Sequence, residues 1–151
     1  MIFINKAEIT AEEIGQEMQY HPASTQEQAW HQAAQSLVIR QLLLQQAVEN
    51  GLCPDAGSVT PGEDEKIIDQ LLEKEIIVPE ADEPTCQRFY DNHPDSFKDE
   101  KTGERVTFEL AQANIRDYLH TKAMRIAVTE YIKALSYNAK IKGFELDFLT
   151  F

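Results

Sequence analysis

The sequence predicts a mainly α-helical fold: four shorter helices, one long C-terminal helix, and a small strand pairing of the two termini. Three observations carry this expectation. Apolar residues recur at helical spacing from Phe108 almost to Gly143. Thr10 with Glu13, and Ser24 with Glu27, have the spacing of capping boxes, in which hydroxyl and carboxylate satisfy the first free amides of a helix. Period-two alternation is confined to Ile2-Phe3-Ile4 and to the tail from Phe144 to Leu149.

Taken in order, Thr10 opens a short helix that runs to about Tyr20, where His21-Pro22 stops it, because a residue before proline is driven out of the α region. Ser24 opens a second helix to about Glu49, with Asn50-Gly51 as its left-handed end. Between Leu37 and Leu44 only Arg40 and Gln41 are polar, too wide an apolar surface for a one-sided stripe, so this helix is expected at the centre of the fold. Thr60-Pro61-Gly62-Glu63 supplies a cap, a first-turn proline and an acidic start for a third helix carrying Ile67, Ile68, Leu71, Leu72 and Ile76 and ending at Val78-Pro79.

Pro84 begins a fourth helix, with Cys86, Phe89 and Tyr90 on one face, and Pro94 closes it. Residues 98–106 form a charged hinge containing Thr102-Gly103-Glu104. The last helix, from about Phe108 to Lys142, would be on the order of 50 Å long, too long for four short partners to cover. Part of its apolar face must meet a client, a partner chain, or elements folded back from the first half.

Composition narrows the classes of function. The formal net charge of -12 repels a phosphate backbone or an anionic membrane surface, which argues against nucleic acid. No window approaches a membrane span and the first residues lack the pattern of a secretory signal, so a cytoplasmic location is expected, or a periplasmic one if a signal has been removed. Cys53 and Cys86 form no CxxC pair and read as free thiols. The histidines, His21, His31, His93 and His120, are read as surface or capping residues without a metal partner at ligand spacing. Glu63-Asp64-Glu65 complements a helix dipole without an ion. No phosphate loop or nucleophile motif is present, and no metal, cofactor or catalytic residue is expected. Arg40 either holds an anionic group of a client or pairs with a carboxylate, Glu73 or Glu75.

Three stretches carry a resemblance: AWHQAAQSLVIRQLLLQQA at 29–47, EKEIIVPEADEPTCQRFYDNHPDSF at 73–97, and RVTFELAQANIRDYLHTKAMRIAVTEYIKALSYNAKIKGFEL at 105–146. Together they resemble the chaperone module of SurA-like and NifM-like parvulin-type peptidyl-prolyl isomerases. In that family four N-terminal helices precede an inserted parvulin domain, and a long C-terminal helix completes the module. The resemblance implies that 1–97 is the N-terminal helical part, that 98–106 stands in place of the parvulin domain, and that 107–151 completes the module. Nine residues cannot contain a domain of roughly 100, so no position here inherits the family's catalytic residues.

The implied role is that of an ATP-independent chaperone or maturation factor that binds apolar segments of non-native proteins. Met18, Trp30, Phe89, Tyr90, Phe97, Tyr118 and Met124 are the candidate client-binding residues, since aromatic and Met side chains suit promiscuous apolar contact. Taken singly, each of them is more often ordinary core than a client contact, and only the collective apolar length of the last helix favours a groove. The alternative is a self-associating, domain-swapped protein dimerising through the long helix because its hinge is too short to fold back.

Overall fold

The computed structural model describes residues 1–60 and 62–148, and its contacts divide the chain into two compact units. One comprises Met1–Glu75 with Val128–Phe151, the other Ile76–Ala127. The mainly helical class predicted from the sequence is present, with a small antiparallel sheet beside the helices.

In the first unit, β1 (Ile2–Ile4) and β2 (Ala7–Ile9) form a hairpin in which Ile2 faces Ile9 and Ile4 faces Ala7. Asn5, in the two-residue turn, has a left-handed φ of 55°, a conformation its short polar side chain tolerates. Helix α1 (Ala11–Glu17) follows with the expected Thr10–Glu13 capping box fully formed, and a 3-10 turn carries it through Met18–Tyr20. Thr10→Ala removes one half of that box and is expected to lower unfolding free energy by about 1 kcal/mol in urea titration. An unchanged midpoint would show that the cap contributes nothing to this fold.

Helix α2 (Gln26–Glu49) is capped by Thr25, whose hydroxyl accepts from the Gln28 amide. Ser24, the expected cap, instead donates its hydroxyl to the Gln28 side chain, one residue too early to reach the free amides. The helix ends at Glu49, and Gly51 takes a φ of 76°, as its Asn-Gly signal predicts. Its central position is also as expected. Ala33, Ala34, Val38 and Leu42 pack with Ile2, Ile4, Ile9 and Ile14 in one core, while Leu43 and Ala47 pack with Leu71 and Ile132 in another. The Gln45 side chain donates to the Ile4 carbonyl and tethers the sheet to α2.

Helix α3 (Glu63–Glu75) ends before the predicted Val78. Leu71 is its one buried residue, and Ile77 beyond it is 86% exposed, so no apolar contact there rewards another turn. Pro61, predicted in the first turn, lies outside the described residues. Arg40 pairs with Asp64 at 3.4 Å and Glu17 at 3.6 Å, not with Glu73 or Glu75. The packing of α1 and α3 on α2 brings those two carboxylates to it. Likewise Glu17, one helical turn before His21, lies 3.2 Å from its Nε2, a carboxylate partner that the sequence reading missed.

Helix α5 (Phe108–Tyr137) stops five residues short of the predicted end. Asn138 and Ser136 hydrogen-bond back to the Ala134 and Lys133 carbonyls, and the chain then enters β3 (Ile141–Lys142). β3 pairs antiparallel with β1, Ile4 facing Ile141, giving the sheet order β2-β1-β3. The terminal regions therefore do pair, but not through the alternating tail. After Gly143, Phe144, Leu146 and Phe148 each turn onto a core without a ladder, and the Asp147 amide donates to Gln35. The alternation marks burial of every second side chain, not a strand; Leu149 lies outside the described residues.

Val128, Tyr131, Ile132 and Leu135, from the last turns of α5, pack with Leu43, Ala47 and Leu71 of the same chain. Of the three ways to cover the long helix, folding back of the first half therefore accounts for these turns. Burial pushes the Tyr131 hydroxyl up from its usual range, and the charge of Glu75 adds to the effect.

Candidate functional site: an aromatic groove in the second unit

The second unit is built on α4 (Glu83–Asn92), a hairpin turn, and the first part of α5. Asp82 caps α4 by accepting from the Thr85 amide at 2.9 Å. The hydrogen bonds from the Thr85 hydroxyl and amide hold the Asp82 carboxyl below its ordinary range. With the start fixed there, Cys86, Phe89, Tyr90 and His93 fall at helical spacing on one face. Cys86 and Tyr90 are buried, in a core shared with Ala111 and Ile115 of α5.

Residues 98–106, expected as a hinge, form a closed turn. Lys98 bridges to Arg105, the Val106 amide donates to the Phe97 carbonyl, and Gly103 takes a φ of 70°. Tyr90 holds this turn from below, donating its hydroxyl to the Val106 carbonyl. Arg105 stacks its guanidinium 3.8 Å over the Tyr90 ring and donates to the Tyr90 carbonyl. This arrangement places Phe97 beside Tyr90, with ring centroids 5.3 Å apart, and fixes one wall of a groove.

The groove encloses about 630 Å³ between α4, Phe97 and α5. Phe89 is its aromatic hub: His93 stacks on it at 4.1 Å, Tyr118 lies tilted at 5.5 Å, and Phe97 meets it edge-on at 6.1 Å. Ile115 and Leu119 form the apolar floor, and Ser96, Asn114 and Lys122 complete the lining. His93 Nδ1 donates to the Phe89 carbonyl at 2.7 Å, the only role open to it against a carbonyl oxygen, which leaves Nε2 for another partner. Tyr118 is 53% exposed and presents part of its ring to solvent at the groove.

Of the seven candidate client-binding residues, Phe89, Phe97 and Tyr118 line this groove. Tyr90 is buried behind it and serves as core and as the anchor of the turn. Met124 is half-buried on α5 outside the lining. Met18 and Trp30 belong to the first unit, Met18 packed on the sheet core and Trp30, 40% exposed, tilted against Phe144 at 6.2 Å. Sequence reasoning missed His93, Ser96, Asn114, Ile115, Leu119 and Lys122 as groove residues. The spacing of Ile115, Leu119 and Lys122, four and three apart on α5, was the available signal.

A larger concavity in the first unit, about 1160 Å³, is lined chiefly by polar residues such as Gln28, Gln32 and Gln35, with Trp30 and Ile39 as its only large apolar side chains. Among the described residues no three His, Cys, Asp or Glu side chains gather as metal ligands, and no helix is long and apolar enough to cross a membrane. Comparison of the chain with protein-family models, with curated proteins and with solved structures finds no match.

Proposed function

We propose that the protein is an ATP-independent chaperone or maturation factor that binds apolar segments of non-native client proteins and carries no isomerase activity. The observation that carries this reading is the groove in which Phe89, Phe97 and Tyr118 present aromatic surface over an apolar floor. Its volume lies in the range of ligand-binding clefts, roughly 300–1,000 Å³. Burying one client aromatic ring removes about 150–250 Å² from water, roughly 4–6 kcal/mol before the cost of association. Affinity is therefore modest and tolerant of sequence, as shielding of many non-native segments requires. The resemblance of 29–47, 73–97 and 105–146 to the chaperone module of the parvulin family supports the same class of client.

The test is suppression of aggregation of a chemically unfolded model protein at stoichiometric amounts, followed by light scattering. The wild type is expected to suppress it, and Tyr118→Asp, at a half-exposed position where the fold tolerates a charge, is expected to reduce the effect severalfold. Wild-type protein that leaves aggregation unchanged would refute the reading.

A second reading, self-association into a structural or assembly protein, draws on Leu110, Ile126 and Tyr137, which leave α5 with apolar surface 74%, 56% and 78% exposed. A solution mass that doubles with concentration, joined to an absence of client binding, would favour it.

A further inference from the structure

The groove differs in charge from the rest of the chain. Its lining contains Lys122 and His93 and no carboxylate, although the chain carries 26 acidic residues against 14 Lys and Arg. Three other concavities are each lined by at least one: Glu27 in the first, Glu145 and Asp147 in the second, and Glu8, Glu13 and Glu17 in the third. Lys122 is exposed and makes no ion pair within 4 Å among the described residues. Arg125 follows it one helical turn on. Asp95, two residues after His93 as Asp91 is two before it, is bound to Lys98 at 2.9 Å, and this hydrogen bond and charge hold its carboxyl low. Asp91 accepts from the Gln87 side chain, and neither it nor Asp117 belongs to the lining.

We infer that the groove selects client segments in which an Asp or Glu flanks apolar or aromatic residues, the rings seated on Phe89, Phe97 and Tyr118 and the carboxylate against Lys122. This rests on the chaperone reading and names its preferred client. The overall charge of -12 opposes an acidic segment at long range. At physiological ionic strength, however, the Debye length is about 8 Å, so distant carboxylates are largely screened while a contact with Lys122 is not. The local charge therefore decides. A basic segment would gain long-range attraction but meet Lys122 at the groove itself.

Calorimetric titration at physiological salt tests this with three blocked seven-residue peptides, each holding two phenylalanines flanked by glutamates, by glutamines or by lysines. The glutamate peptide is expected to bind roughly two- to fivefold tighter than the glutamine peptide, the scale of an exposed ion pair, and the lysine peptide weakest. In Lys122→Gln the ratio of affinities between the glutamate and glutamine peptides is expected to fall to about one, whatever the variant does to the affinity of both. At about 1 M salt, where the Debye length is about 3 Å, the glutamate and glutamine peptides are expected to converge. Equal binding of those two peptides by the wild type would overturn the acidic preference and leave the chaperone reading standing. Failure of every peptide, together with unsuppressed aggregation, would overturn both. Failure of every peptide with a mass that doubles with concentration would overturn the inference by making a second copy the occupant.

Discussion

Gly143→Ala is expected to lower unfolding free energy by roughly 3 kcal/mol or more, a large share of the ~5–15 kcal/mol that holds a domain of this size together. Two effects add. Gly143 has a φ of 83°, a conformation that costs a side-chain-bearing residue about 1–3 kcal/mol. A Cβ there would also run into the backbone carbonyl of Met1, which no rotamer change relieves. Relief requires β1 and β3 to separate, and with them the Phe3–Lys142 and Ile4–Ile141 pairing. Because Ile2 and Ile4 are almost wholly buried in the core beneath that pairing, the strain spreads into the core. Chemical denaturation followed by circular dichroism measures it. A loss under 1 kcal/mol would mean that the segment before β1 moves freely aside and that this close approach does not constrain the fold.

Leu71→Ala is expected to cost about 2–5 kcal/mol, the range for deleting a large buried aliphatic side chain. Leu71 is the one fully buried residue of α3, packed with Leu43, Ala47 and Ile132. Its side chain sits at the centre of the α3 contact, with Ile67, Ile68 and Leu72 packed around the same cluster. The cavity left behind borders α2 and the last turns of α5, two long helices that collapse poorly. Leu71→Met, nearly equal in volume, is expected to stay within about 1.5 kcal/mol. Equal losses in the two variants would show that shape, not burial, governs the site.

The groove was partly legible in the sequence, and the residues show why. Phe89 and Tyr90 announce themselves by their place on a capped, proline-bounded helix, yet their fates are opposite: one lines the groove, the other is core. Adjacent helical positions point about 100° apart, and which of the two faces solvent depends on where α5 docks. Phe97 reaches the groove only because the turn over 98–106 closes on Tyr90 through Arg105. A nine-residue charged linker carries no mark of that closure. Trp30 and Met18 have side chains as suitable for a client as Phe89, but the chain places them in the other unit.

Capping boxes, proline stops and helical periodicity act over four or five residues, so the chain by itself determined its helical class, the Thr10 cap, the Asn50-Gly51 end of α2 and the central role of that helix. The tertiary structure alone decided the strand at Ile141–Lys142, the Arg40 pairs with Glu17 and Asp64, and the gathering of Phe89, Phe97 and Tyr118 around one groove. Each of these depends on partners that stand 20 to more than 130 residues away in the sequence or on the angle at which two helices meet. Contacts of that kind leave no periodic trace, because the free energy that selects them comes from burial and pairing after the elements have formed.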